Sequence, residues 1–242
     1  MFALADRLAE EAGHPEWSLR RILHIPADLP EADRLIAEAR LRRIGPSLLG
    51  VLLGDTALFQ VLAEWQLPIA AMAGHSAGEL AALAAADAIR LEQALLGSRL
   101  LQLIEAMEQY EEEPGGADVT LIAVGSGAKQ VARLAEAITA GAVQVAMDNC
   151  PHQCVAVGPT HLVLPLEAAL TEQGIVCERL PFHRPYHTAL FEASMAPFRE
   201  FFAAIPFTTP RIPVYSCATG ELFPSDPQAI HELAVNHWVR PV

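Results

Sequence analysis

The sequence predicts an α/β protein in two lobes: a larger α/β-hydrolase-like lobe with a small ferredoxin-like (βαββαβ) lobe inserted in it. Three observations carry this prediction. A strand, a tight turn and a helix frame a serine in Gly74-His-Ser-Ala-Gly78, the local pattern of a nucleophile elbow. The run Glu111-Glu-Glu-Pro-Gly-Gly116 reads as a linker, because it combines like charges with three helix breakers. Beyond it, about sixty residues follow the order β-α-β-β-α-β of a split βαβ domain.

The bulk properties agree. The 242 residues are 52% hydrophobic and 19% charged, with mean hydropathy +0.27, enough apolar surface for a sizeable core and too much for disorder or a fibrous repeat. Sixteen basic against twenty-nine acidic residues leave a net charge of −13 and a pI near 5.1, which argues against nucleic acid or an anionic membrane as the main partner. Lys129 is the one lysine in the chain. The four cysteines, Cys150, Cys154, Cys177 and Cys217, contain no CxxC pair; three interrupt apolar, strand-like runs, and a reducing, cytoplasmic setting fits them. Cys150, His152 and Cys154 have poor zinc-ligand geometry around Pro151, so no metal is expected. The N-terminus lacks the basic and apolar regions of a signal peptide. His75, Glu79 and Asp87 break the apolar stretch Pro68–Ile89, which is therefore not expected to span a membrane.

Apolar periodicity predicts amphipathic helices at Ala3–Ala12 and Glu31–Arg43, then a more apolar one at Ser47–Trp65 after Gly45-Pro46. Pro68–Ala73, apolar on both faces, reads as a buried strand. Helices follow at Leu80–Ala88 and Leu91–Glu113. The small lobe takes strands at Thr120–Val124, Val143–Met147, Gln153–Val157 and Ile175–Leu180, with helices at Lys129–Thr139 and His161–Gln173. Helix (Thr188–Ala204), strand (Pro213–Cys217) and helix (Asp226–His237) complete the chain. The domains are thus 1–116 and 183–242 for the large lobe and 117–182 for the small one.

In Gly74-His-Ser-Ala-Gly78 the glycines permit a sharp turn that lifts Ser76 out of the sheet. The following helix N-terminus favours developing negative charge, and the Ala77 backbone N–H is positioned as an oxyanion donor. A serine hydroxyl needs a base. Of nine histidines, His152 falls between Cys150 and Cys154, His14, His24, His231 and His237 read as surface or capping residues, His161 opens the small lobe's second helix, and His75 should point away from its neighbour. His183 and His187 remain, and the residues alone do not choose between them. No acidic third member stands out; a backbone carbonyl can orient an imidazole equally well.

These residues resemble a known family. Gly74-His-Ser-Ala-Gly-Glu79 is similar to the GHSxGE signature of malonyl-CoA:acyl-carrier-protein transacylases and of the acyltransferase domains of polyketide and fatty acid synthases. Asn149-Cys-Pro-His-Gln-Cys-Val-Ala-Val-Gly158 resembles that family's N-x-P-x-Q-x-V-x-x-G stretch. Pro185-Tyr-His-Thr-Ala-Leu-Phe191 resembles its catalytic-histidine segment, and Pro213-Val-Tyr-Ser-Cys-Ala-Thr-Gly220 its P-V-x-S-x-x-T-G strand. The resemblance covers nearly the whole chain.

It implies that Ser76 is the acylated nucleophile and His187, 111 residues later, its general base, with a backbone carbonyl near Cys217 facing the imidazole. Arg99 is implied as the guanidinium that pairs with a malonyl carboxylate, with His75 and Asn149 as further substrate-binding residues. It also implies a chain that begins past the family's first strand, with its second oxyanion donor, and ends before its last strand and helix. Arg184-Pro-Tyr-His187 replaces the four-residue motif by which polyketide acyltransferases select their acyl group. The expected activity is transfer of an acyl group, malonyl favoured, from CoA to the phosphopantetheine thiol of an acyl carrier protein. Acyl-CoA is then substrate, the carrier and neighbouring synthase domains are partners, and no cofactor is resident. A serine hydrolase or thioesterase, and a catalytically silent docking domain of a larger synthase, are the alternatives.

Overall fold

A computed structural model describes residues 6–7, 10, 18, 28–90, 103, 106 and 118–242. The predicted helices Ala3–Ala12 and Leu91–Glu113, the Glu111–Gly116 linker and Arg99 fall wholly or mostly outside the described residues. The chain divides into two compact units, Met1–Glu112 with Ala196–Val235, and Glu113–Met195 with Asn236–Val242. The two units thus alternate along the sequence. The second also takes 183–195 and the last seven residues, which the sequence had assigned to the large lobe.

In the first unit, α1 (Glu31–Leu41) leads into α2 (Ile44–Glu64), β1 (Met72–Ala73) and α3 (Gly78–Ala85); α6 (Ala196–Ala203), β6 (Val214–Tyr215) and α7 (Pro227–Asn236) belong to the same unit. Helix α2 starts three residues earlier than predicted, because Pro46 falls in the first turn, where a missing N–H costs nothing. By length and composition Gly45–Glu64 could cross a membrane, but Leu48, Leu52 and Leu53 are buried in the unit's core, and α3 buries Leu80–Leu83 beside it. The buried strand at Pro68–Ala73 is corrected. Only Met72 and Ala73 form β1, and Ala71 and Ala73 are exposed. Among the described residues β1 pairs with β6 alone, in parallel register Met72↔Val214 and Ala73↔Tyr215, and a parallel strand becomes buried only when both edges and both faces are covered. The predicted helix Thr188–Ala204 is also corrected: a 3-10 segment, Ala189–Ser194, precedes α6. Pro197 lies in the first turn of α6, and a residue before proline is disfavoured in helical geometry.

The second unit comprises β2 (Val119–Val124), α4 (Ala128–Thr139), β3 (Gln144–Cys150), β4 (Gln153–Pro159), α5 (Thr160–Glu172) and β5 (Cys177–Arg179). The strand order is β3-β4-β2-β5, antiparallel throughout, the ferredoxin-like arrangement predicted from the element order. Alternation along β2 and β4 feeds two clusters. Ile122, Val124, Cys154 and Ala156 pack with Val131 and Ala135 of α4 and Val163, Leu166 and Leu170 of α5. Val119, Leu121, Ala146, Val155 and Val157 gather separately. Register shifts at Ala146 and Asn149 distort β3. Val242 then bonds along its edge, donating to the Ala146 carbonyl at 3.0 Å and accepting the Asp148 N–H at 2.6 Å.

Candidate active site

Ser76 sits where the sequence placed it, between β1 and α3, and its backbone is left-handed at φ 54°. That conformation is strained for an L-residue and is the mark of an elbow. Backbone bonds from Gly78 N–H to the His75 carbonyl and from Glu79 N–H to the Ser76 carbonyl, both 2.9 Å, close the turn. The glycines are unequal. A Cβ on Gly74 would lie 2.0 Å from the Gly78 carbonyl oxygen, whereas one on Gly78 would meet nothing nearer than Asp55 Oδ2 at 4.0 Å. The turn therefore requires the first glycine and tolerates replacement of the second. Ala77 forms the helix N-cap, Ser76 is half-buried, and His75 is exposed beside it.

Glu79 is completely buried in the first turn of α3. Its Oε1 accepts the Cys217 backbone N–H at 2.5 Å, and Ser216 also hydrogen-bonds its side chain. Burial pushes the carboxyl above its ordinary range, a rise these hydrogen bonds oppose. Cys217 returns a second link: the Ser76 N–H donates to its sulfur at 3.4 Å. Burial, then the Glu79 charge, push the Cys217 thiol up to about 12, so it is a neutral thiol at physiological pH. The sequence missed this connection, which spans 141 residues.

In the second unit His187 is also completely buried and left-handed, at φ 61°. Its N–H donates to the Trp238 carbonyl at 2.8 Å. Its Nδ1 lies 2.9 Å from the carbonyl of His237. A carbonyl only accepts, so Nδ1 carries the hydrogen, and the neutral ring keeps Nε2 as its basic nitrogen. The ring stacks on Trp238 at 5.9 Å and 10°. Thr188 Oγ1 donates to the Pro185 carbonyl at 2.7 Å, and Tyr186 packs on Phe191 at 4.9 Å. Two expectations are corrected here. The carbonyl at the imidazole belongs to His237, not to the stretch near Cys217, because the last seven residues fold into this unit. His237 is fully buried rather than a surface or capping residue. His231 is half-buried, its ring edge-on to Phe207 at 5.1 Å.

Of the other histidines, His183 and His161 are exposed, and His14 and His24 lie outside the described residues. Asn149 is exposed at the β3 bulge, where its side-chain amide donates to Gln153 Oε1 at 2.7 Å. Trp238 was not singled out in the sequence; its place within a helix-ending aromatic pair, His237-Trp238, is the available signal. The four cysteines are free thiols.

The fold that carries this elbow and this imidazole is similar to that of malonyl-CoA:acyl-carrier-protein transacylases. The structure matches the malonyl CoA-acyl carrier protein transacylase of Coxiella burnetii with a TM-score of 0.78 and 21% identity, covering 99% of this chain and 72% of that one. It matches the acyltransferase domain from the second module of the salinomycin polyketide synthase with a TM-score of 0.73 and 25% identity, covering 99% and 51%. In sequence the chain is 29% identical over 242 residues to the spectinabilin polyketide synthase system protein NorB of Streptomyces orinoci, covering 98% of this chain and 10% of that protein. The chain therefore spans about a tenth of that relative's length. No family model matches the chain. The resemblance read from the sequence motifs is thus shared by the fold and by the sequence relatives.

Proposed function

We propose that this chain is an acyltransferase domain that moves an acyl group, malonyl favoured, from CoA to the phosphopantetheine thiol of an acyl carrier protein, in the cytoplasm and in the service of polyketide or fatty acid assembly. The observation that carries the reading is the left-handed Ser76 at the tip of the β1–α3 turn. In the proposed cycle Nε2 of His187 takes the Ser76 proton while Oγ attacks the thioester carbonyl. The C–O bond forms, the C–S bond breaks, and CoA leaves as its thiol with the proton returned by the imidazolium. The carrier's thiol then reverses the chemistry, and Ser76 is regenerated. The Ala77 N–H faces the oxyanion. Arg99 pairs with the free carboxylate of a malonyl group, and His75 and Asn149 contact the substrate. The names of the Coxiella and salinomycin proteins support transfer chemistry and a carrier partner.

Intact-mass spectrometry after mixing with a panel of acyl-CoAs tests the proposal. An adduct that Ser76→Ala abolishes, and that a phosphopantetheinylated carrier protein removes, is the expected result. Release of free acid without carrier would identify a hydrolase; absence of both adduct and fluorophosphonate labelling would identify a silent domain. Arg99→Ala should lower malonyl transfer at least about tenfold more than acetyl transfer, the discrimination a bidentate carboxylate contact supplies; equal losses would remove Arg99 from acyl selection.

A further inference from the structure

Cys217 touches the nucleophile turn twice. Its backbone N–H is held by the buried Glu79 carboxyl at 2.5 Å, and its sulfur receives the Ser76 backbone N–H at 3.4 Å. The segment that presents it is well fixed. Residues 214 and 215 pair with β1, and the chain then folds back as a hairpin, with Ser216 N–H on the Glu221 carbonyl and Phe223 N–H on the Val214 carbonyl. We propose that Cys217 is a positioning residue for Ser76: its sulfur is the acceptor that holds the left-handed peptide of the nucleophile, and Glu79 holds Cys217 in place to do so.

The chemistry fits an acceptor. The Ser76 N–H is partly buried, and a partly buried N–H left without a partner is costly. Sulfur is a weak but long-reaching acceptor, suited to a contact of this length. Desolvation keeps the thiol protonated, so Cys217 does not compete with Ser76 for an acyl group or turn into a thiolate nucleophile. Glu79 contacts backbone and side chain on the β6 side while its own backbone N–H closes the elbow on the Ser76 carbonyl. The elbow is therefore clamped from both of its ends by one pair of residues.

This inference rests on the reading of Ser76 as the nucleophile, so its test separates the two. The full chain and its Cys217→Ala, Cys217→Val and Cys217→Ser variants are labelled with a fluorophosphonate over a range of probe concentrations. Cys217→Ala and Cys217→Val, which lack an acceptor, should lower the maximal labelling rate of Ser76 about tenfold, the effect of one lost hydrogen bond to a reacting group. The half-saturating probe concentration should stay at its wild-type value, while the melting temperature falls by the few degrees that one unpaired, partly buried N–H costs. Cys217→Ser, which restores an acceptor, should label within about twofold of wild type. The valine variant fills the site if alanine fails to fold. Wild-type rates in both acceptor-less variants, or a serine variant as slow as alanine, would overturn the positioning role and leave the Ser76 reading standing. A wild-type chain that is not labelled at Ser76 overturns both.

Discussion

Gly74 and Gly78 share one motif and one turn, yet only Gly74 is crowded. Its α-carbon faces the Gly78 carbonyl so closely that an added Cβ would sit 2.0 Å from the oxygen. Gly74→Ala should therefore abolish soluble folded protein or lower the melting temperature sharply. Gly78→Ala has open space and a helical position, and should stay within about 1 kcal/mol of wild type, on the stabilising side. A thermal melt of the two variants checks both. Glu79 gives a second prediction. Its carboxyl sits above the ordinary value of 4.5 because of burial, so over the window from there up to its raised pKa the folded chain binds more protons than the unfolded one. Its contribution to stability is full at the low end of that window and is lost as pH climbs through it. Glu79→Gln keeps an oxygen for the Cys217 N–H and has no charge to desolvate. The stability of Glu79→Gln relative to wild type, followed by urea denaturation from acid to neutral pH, should rise through the window and then level off; a flat difference would show that Glu79 is not desolvated. The serine and its elbow were legible because the pattern is local. The Glu79–Cys217–Ser76 links were not, since nothing within reach of either residue in sequence points 138 or 141 positions away.

At the scale of elements, the small unit was read nearly in full. Its strands are short apolar runs bounded by glycine or proline, and its helices carry clean stripes such as Val131–Ala135 and Val163–Leu166–Leu170. What escaped was geometry imposed by neighbours: the β3 bulges and the pairing of Val242 in this unit, and the exposure of β1 in the other. The 3-10 break ahead of α6 was available in Pro197 and shows that a continuous apolar pattern can outrun backbone continuity. Gly158, last residue of the Asn149–Gly158 motif, has a structural reason for its identity. A Cβ there would lie 2.8 Å from the Ala142 carbonyl oxygen and 2.9 Å from Val143 Cγ2, where the chain leaving α4 crosses the end of β4. Gly158→Ala should cost roughly 1–3 kcal/mol, the usual penalty for overpacking. A lower urea midpoint with an unchanged m-value would support it; an unchanged midpoint would mean that the α4–β3 connection yields.

For the whole molecule the charge balance is the dominant electrostatic fact. Twenty-nine acidic side chains face sixteen basic ones. The ion pairs Arg34–Glu38, Arg179–Glu167 and Arg211–Asp87 are formed largely by exposed side chains, where each is worth about 0–1 kcal/mol. Salt weakens both the attractive pairs and the long-range self-repulsion, and the two effects oppose each other. The pairs act over a few ångströms, inside the screening length of about 8 Å at 0.15 M salt, whereas repulsion across a net charge of −13 acts over distances that only the ~30 Å screening length of 0.01 M salt leaves uncovered. Repulsion should therefore be lost first. Raising salt between those limits should stabilise the fold by on the order of 1 kcal/mol, about 2–4 °C in Tm for a chain of this size. Thermal melts in sodium chloride at constant pH decide it. A Tm that falls with salt would mean that local pairing outweighs the acidic excess, and that the negative charge is distributed so as to be offset where the chain packs.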